Sequence, residues 1–146
     1  MAGNSRGPEG VFSRFLVPTL INIAPMVTRV ENEVGSGTSD IYVADSRWSA
    51  WIEVKSTTIN NRGIIDLTLF TVDQRKFLMN CPGKIGGFLL VEIRQGPKAN
   101  WGYAIWDKRR LPPAQCKHDW RANPPTACKR SELKDMLSNI LNCLTY

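Results

Sequence analysis

The stretch WSAWIEVKSTT, Trp48 to Thr58, predicts a β-strand that carries an acid and a base among apolar residues. Side chains alternate between the two faces of a strand, so Glu53 and Lys55 share one face, while Ile52 and Val54 point to the other. For an isolated acid and base at this spacing, the ordinary interpretation is a solvent-exposed face with a weak ion pair. Only the remaining sequence can favour a functional interpretation over that one.

Length and composition predict one domain over residues 1–146. The chain has 146 residues, of which 42% are hydrophobic and 22% charged, values typical of a globular protein with an ordinary core. No apolar run is long enough to span a bilayer, and MAGNSRGPEG lacks the apolar core of a signal peptide. We therefore expect a cytoplasmic protein (the host cytoplasm if it is virus-encoded), no membrane partner, and four reduced cysteines.

The charge is divided unevenly along the chain. Residues 1–73 contain six Lys or Arg against eight Asp or Glu, a net charge of −2, whereas residues 74–146 contain thirteen against five, a net charge of +8. A basic half of this kind favours a polyanionic partner such as a nucleic acid.

The order of predicted elements indicates a mixed α/β domain whose central sheet has about five strands flanked by helices. We expect a core over about 6–106, a basic proline-rich loop over 107–130, and a C-terminal helix over 131–144 that Ser131 caps. Within the core, the patterns predict a helix over 9–22 that Pro18 kinks or ends, a glycine-rich loop over 31–40, strands at 41–45, 48–58, 63–70, 86–94 and 101–107, and a helix opened by Thr71.

Asp40 lies at the mouth of the strand that precedes the opening stretch. If the two strands pair as a hairpin, Asp40 and Glu53 converge at one end of the sheet. Two carboxylates, with the Val54 backbone carbonyl as a third oxygen, suit Mg²⁺, and Mn²⁺ is expected to substitute for it. Lys55 could then orient or help deprotonate an attacking water, or offset negative charge on a phosphate.

The combination GSGTSDIYVA and WIEVKSTT resembles the core of the PD-(D/E)xK nuclease superfamily, above all its Holliday-junction-resolvase-like and VRR-NUC branches. The resemblance spans about residues 6 to 95 and implies a restriction-endonuclease-like fold. It also implies a further acidic metal ligand at Glu9 and a supporting role for Gln74 in a T-x-x-Q signature. Ser39 stands where the superfamily has its name-giving proline, and residues 107–130 match nothing in it.

Each of these residues also has a simpler interpretation. Glu9 could favour a helix N-terminus by its charge, and Gln74 could form a capping box with Thr71. Ser36 and Ser39 could contact phosphate or only shape their loop.

Other site classes are disfavoured by the residues themselves. Cys116, His118 and Cys128 lack the spacing of common zinc sites. His118 is the single histidine of the chain, which counts against histidine-based nucleases and Ser-His-Asp hydrolases, and no phosphate-binding P-loop is present.

The sequence therefore predicts a Mg²⁺-dependent DNA endonuclease that acts on branched, nicked or distorted DNA. Asp40, Glu53, Lys55 and Gln74 are its expected catalytic residues, and Asp40, Glu53, Val54 and Glu9 its expected metal ligands. Ser36, Ser39, Lys108, Arg109 and Arg110 are the expected DNA contacts, the last three on a basic arm that could equally be a solubilising loop. The resemblance implies a homodimer. The alternative is a DNA-binding module on the same scaffold with little catalysis.

Overall fold

The computed structural model describes residues 8–30, 40–95, 100–122 and 124–144, without the side chains of 8–11, 13, 100 and 101. This part of the chain contains three α-helices and eight strands. In chain order they are α1 (Pro8–Ile21), β1 (Met26–Arg29), β2 (Ile41–Ala44), β3 (Ser49–Thr58), β4 (Ile64–Leu67), α2 (Val72–Met79), β5 (Ile85–Arg94), β6 (Asn100–Asp107), β7 (Cys116–Asp119), β8 (Thr126–Cys128) and α3 (Leu133–Asn142).

Six of these strands form one mixed sheet in the order β1-β2-β3-β5-β6-β8. The two long central strands, β3 and β5, run parallel, and the other neighbours are antiparallel. The predicted α/β class and the β2–β3 hairpin are confirmed. The sheet has one more strand than expected, because the patterns missed β1 and β8 and placed β4 wrongly. β1 is mostly exposed and β8 has three residues, so neither has a clear period.

The sheet is covered on both faces, and β3 contributes to both cores. Ala50, Ile52 and Val54 pack in a core with the buried residues of α1 and α3. Trp51 packs on the opposite face, where the buried side chains of β4 and α2 form a second core. By the alternation of the strand, Glu53 and Lys55 lie on this second face.

The strand predicted over 63–70 is shorter and does not join the main sheet. β4 ends at Leu67 and pairs with β7 in a separate two-stranded ribbon. Ile65 and Leu67 are buried as the alternation predicted, but Leu69 is 72% exposed because the chain has already turned at Leu67, whose carbonyl accepts a bond from Phe70 N at 3.0 Å.

The segment 107–130 is not an unstructured arm. It supplies β7 and β8, one to the ribbon and one to the edge of the main sheet, and it buries Leu111 and Pro112. The prediction failed because such short strands between Pro-Pro pairs leave no periodicity to detect.

Both predicted end helices form, with different ends. α1 continues through Pro18 to Ile21, so the proline does not end it. Ser131 does not cap α3, because Arg130–Glu132 forms a 3₁₀ turn and α3 begins at Leu133. The apolar stripe of α3 is confirmed by its packing on the first core. No helix in the described ranges has the length and apolarity needed to cross a bilayer.

Lys108, one of the expected DNA contacts, is half-buried and binds backbone carbonyls of the fold. Its Nζ donates hydrogen bonds to the carbonyl oxygens of Cys81 and Pro82 at 2.9 Å and of Ile85 at 2.8 Å. An ammonium that is satisfied by three carbonyls fastens the turn between α2 and β5 onto the end of β6. This contact argues for a structural role of Lys108 rather than for a phosphate contact.

We expect Lys108→Met to lower the free energy of unfolding by roughly 1.5–3 kcal/mol, the usual worth of hydrogen bonds to a charged group. Urea denaturation measures this change. Arg109→Ala is the matched control, because Arg109 is exposed and should change stability by no more than about 0.5 kcal/mol. A Lys108→Met protein that is as stable as wild type but binds DNA poorly would restore the arm interpretation.

Candidate active site

Asp40 and β3 are joined at the end of the hairpin. The Asp40 Oδ2 atom accepts a hydrogen bond of 2.9 Å from the backbone N–H of Val54. The β2–β3 register pairs Ile41 with Ile52, so one step further along the hairpin Asp40 comes opposite Glu53. The hairpin therefore puts Asp40 and Glu53 at facing positions of neighbouring strands.

The same hydrogen bond shows where the Val54 carbonyl points. Within a strand, the N–H and C=O of one residue project to the same side, since both serve the same partner in an antiparallel pair. Because the Val54 N–H points to Asp40, its carbonyl oxygen also faces that side. The Asp40 carboxylate and the Val54 carbonyl thus lie on the same side of β3, and Glu53 precedes Val54 in this strand.

Glu53 and Lys55 are buried rather than exposed. Glu53 is 0% exposed and Lys55 is 8% exposed, and the Lys55 Nζ lies 3.4 Å from the Glu53 Oε1. Burying two opposite charges costs several kcal/mol of desolvation for each ion, which good geometry at best repays. The structure therefore excludes the weak surface ion pair, and the placement of these charges calls for a role other than stability.

Burial raises the pKa of the Asp40 carboxyl above its ordinary value. The hydrogen bond from Val54 and the positive charges of Lys55 and Arg29 act in the opposite direction and lower it. A carboxylate whose charged form is disfavoured in this way gains from a nearby cation.

Arg29 is a residue that the sequence reasoning missed. It ends β1, pairs with Ile41 in the register, and is exposed close enough to Asp40 for its charge to act on that carboxyl. The sequence carried no signal for it, because β1 itself was not predicted. Its guanidinium is an exposed cation beside the paired carboxylates.

A small cleft opens at Lys55. It has a volume of about 100 Å³ and is lined by the end of β3 and by the turn that follows β4. Leu69 stands exposed in this lining, between the buried residues Leu67 and Phe70. The cleft makes Lys55 accessible from outside although its side chain is nearly buried.

Gln74 forms the capping box that its spacing suggested. The Gln74 Oε1 accepts from the Thr71 N–H at 2.9 Å, and the Thr71 Oγ1 accepts from the Gln74 N–H at 3.1 Å. α2 lies over the face of β3 that carries Glu53 and Lys55, as the edge-to-face contact of Phe77 with Trp51 shows. The side-chain NH₂ of Gln74 can donate to a phosphate oxygen. Lys55, which has no acceptor, could be supported only by the second lone pair of the Gln74 Oε1.

The remaining predicted residues fall in two groups. Glu9 belongs to α1, but its side chain, like Ser36 and Ser39, lies outside the described residues. Arg109 and Arg110 are exposed at the end of β6, on the side of the fold where residues 107–126 pack.

The structure excludes a zinc site at the candidate cysteines. Cys116 packs against the second core and Cys128 against the first, so they lie on opposite faces of the main sheet. His118 lies edge-on to Trp106, with 5.4 Å between the ring centroids. In the part of the chain that the structure describes, no three His, Cys, Asp or Glu side chains come together as a metal cluster.

The arrangement of the sheet and helices has a counterpart among solved structures. It matches Hjc from Archaeoglobus fulgidus, a Holliday junction resolvase from an archaeal hyperthermophile, with a TM-score of 0.59. The match covers 88% of this chain and 97% of that chain at 18% sequence identity. This chain has a restriction-endonuclease-like fold. The predicted fold is confirmed, and the VRR-NUC branch stays a prediction. No protein-family profile and no curated protein matches the sequence.

Proposed function

We propose that this restriction-endonuclease-like chain is a divalent-metal-dependent endonuclease that hydrolyses DNA phosphodiesters. One observation carries the proposal. The Asp40 carboxylate accepts a hydrogen bond from the Val54 N–H, and the Glu53 Oε1 lies 3.4 Å from the Lys55 Nζ. Glu53 and Lys55 are both almost fully buried. A fold held together for stability alone gains little from burying this pair.

The donor set fits a hard divalent cation such as Mg²⁺, with Mn²⁺ as a substitute. Its members are two carboxylates and one backbone carbonyl, and oxygen atoms of this kind are the ligands that such ions prefer. Asp40 and the Val54 carbonyl lie on the same side of β3. The raised pKa of Asp40 supports this, because a cation would favour its charged form. Asp40, Glu53 and Val54 would hold the ion, with Glu9 as a proposed further ligand.

When bound, such an ion supplies Lewis acidity toward a phosphodiester and toward water. The chain's own residues do the rest. Lys55 reaches its cleft with an ammonium fixed by Glu53, so it can orient a water beside the scissile phosphate and offset charge in the transition state. Gln74 can offer its side-chain NH₂, and Arg29 an exposed guanidinium, to the phosphate oxygens.

We further propose that the substrate is DNA with a branch or another distortion. We assign Lys55, Gln74 and Arg29 to the phosphate backbone, so selection would rest on backbone charge and shape. The likeness to a Holliday junction resolvase, which shares the fold, supports this choice. A homodimer, with Ser36 and Ser39 near phosphate, belongs to the same proposal.

The test is cleavage of a labelled panel in Mg²⁺, in Mn²⁺ and in EDTA. The panel contains a four-way junction, a fork, a nicked duplex, a plain duplex and a single strand. We expect cuts with either ion and none in EDTA, and faster cleavage of the branched substrates than of plain duplex. Cleavage in EDTA would contradict the proposed chemistry. Tight binding without cleavage in either metal would instead identify a DNA-binding module.

A further inference from the structure

The segment 107–126, which matches nothing in the nuclease resemblance, encloses a large cleft. The cleft has a volume of about 880 Å³, and we call it the proline cleft. Two rigid pairs bound it, Pro112-Pro113 and Pro124-Pro125, and the buried rings of Trp106 and His118 lie at its base. Since proline fixes its own φ angle, these walls lose little conformational entropy when a ligand is bound.

The edge of the proline cleft is basic. Its lining includes Arg109 and Arg110, both exposed, and a single carboxylate, Asp107. The Arg109 side chain is 82% exposed, although its Nε lies 3.2 Å from the Asp107 Oδ1. Such an exposed ion pair contributes little stability and leaves the guanidinium able to turn toward an anion. Two guanidinium groups beside apolar walls suit a ligand that alternates phosphate with flat rings.

The proline cleft lies on the same face of the sheet as the candidate active site. Glu53 pairs with Leu89, and Leu89 pairs with Trp106, so Trp106 stands in the same row two strands away. Two strand spacings amount to about 10 Å. The β4–β7 ribbon lies between, with β4 beside the Lys55 cleft and His118 of β7 in the proline cleft. At a stacked spacing of about 3.4 Å per nucleotide, the step from Glu53 to Trp106 corresponds to roughly three nucleotides.

We propose that the proline cleft binds an unpaired segment of DNA of one or two nucleotides, with Arg109 and Arg110 on its phosphates and the prolines against its bases. The choice of DNA rests on the proposed nuclease function. Pockets of roughly 300–1,000 Å³ enclose single small ligands, so a cleft of this size takes nucleotides but not a duplex. A strand held here and in the Lys55 cleft is one that has left its complement, as strands do at a fork or flap.

The test is equilibrium binding in EDTA, so that no cleavage is needed. A fluorescent oligothymidylate of about eight nucleotides, within the usual site size for single strands, is compared with a hairpin duplex of the same number of phosphates. The Arg109→Ala/Arg110→Ala protein should bind the oligothymidylate more weakly. Its slope of log K against log salt should be shallower by about 1.4, which is two contacts at about 0.7 each. Arg14→Ala/Lys134→Ala removes the same charge from exposed positions on α1 and α3 and should keep the wild-type slope.

A second variant separates shape from charge. Ala122 is exposed and lines the proline cleft, so Ala122→Trp should fill the cleft without changing the net charge. We expect it to weaken binding of the oligothymidylate more than binding of the duplex. Equal losses for both ligands, or no loss in either variant, would overturn the proposal.

The two proposals fail separately. If the wild type cuts branched DNA, but both variants bind the oligothymidylate as tightly as the wild type does, only the proposed role of the proline cleft is refuted. A protein that binds the oligothymidylate through Arg109 and Arg110, yet cuts nothing in Mg²⁺ or Mn²⁺, refutes the nuclease proposal alone.

Discussion

Lys55→Ala is expected to lower the rate of DNA cleavage by about 10²–10⁴-fold, the usual contribution of a positioned general acid–base group, with DNA binding nearly unchanged. The burial of Lys55 is the reason for expecting an effect on the rate and not on binding. Lys55 is 8% exposed and contacts Glu53 at 3.4 Å, so it reaches a substrate only at its own cleft and adds little to the surface charge that binds DNA.

The substitution must be separated from a loss of folding. Removing one partner of a buried ion pair costs about 3–5 kcal/mol, so Lys55→Ala will also be less stable. Lys55→Met/Glu53→Gln removes both charges and keeps the volume, and its melting temperature should recover while cleavage stays absent. Rates are therefore measured well below the melting temperature of each variant. Lys134→Ala, exposed on α3, is the control for surface lysines and should cleave at the wild-type rate.

Arg29→Ala provides the contrast within the site. Arg29 is exposed and acts on Asp40 only through its charge, so its loss should weaken DNA binding more than it lowers the rate at saturating DNA. If Lys55→Ala kept more than about a tenth of the wild-type rate, the role given to Lys55 would be wrong.

Asp40→Asn and Glu53→Gln are each expected to remove metal-dependent cleavage, with rates lower by about 10²–10³-fold, as when a group that stabilises the transition state is lost. In EDTA both variants should bind DNA at least as tightly as wild type, because each lacks a negative charge near the phosphate. Mg²⁺ should raise the melting temperature of wild type, since it binds the folded state, and should not raise that of the variants. Asp45→Asn is the matched control, at the other end of β2.

Asp40→Asn also tests the raised pKa. A carboxyl with a raised pKa binds its proton more tightly in the folded state than in the unfolded state. Its contribution to stability is therefore present at low pH and is lost as the pH rises from the unfolded pKa through the folded pKa. At neutral pH without metal, the asparagine should be as stable as the wild type or more stable, as thermal denaturation in EDTA would show. Unchanged Mg²⁺ dependence in both carboxylate variants would mean that the ion is held elsewhere.

The candidate site was largely predictable because it is local in sequence. Asp40 and Glu53 are thirteen residues apart on two strands of one hairpin, and alternation alone puts Lys55 on the face of Glu53. The capping role of Gln74 could be predicted equally well, since a capping box requires a spacing of three residues. These relations depend only on the geometry of one or two neighbouring elements, so residue spacing is enough to predict them.

The burial of that site was not predictable in the same way. From sequence alone, an E-x-K strand predicts an exposed face. In the fold, α2 and the β4–β7 ribbon cover this face, and the ribbon forms only when β4 pairs with β7, about fifty residues later in the chain. Arg29 enters the site through pairing of β1 with β2 across the glycine-rich loop. A structural role for Lys108 could not be predicted, because its ammonium binds three carbonyls that lie more than twenty residues earlier in the chain.

The α/β class, the central hairpin, the apolar stripe of α3 and the carboxylate–lysine motif could be predicted from the sequence, because each depends on a short-range period or spacing. Three features could not be predicted without the fold: which charges are buried, where the described part of residues 107–130 packs, and the placement of Cys116 and Cys128 on opposite faces. These features depend on pairing between segments that are distant in the chain. Short strands such as β1, β7 and β8 are stabilised only by pairing with a neighbouring strand, so the pattern of their own residues does not predict them.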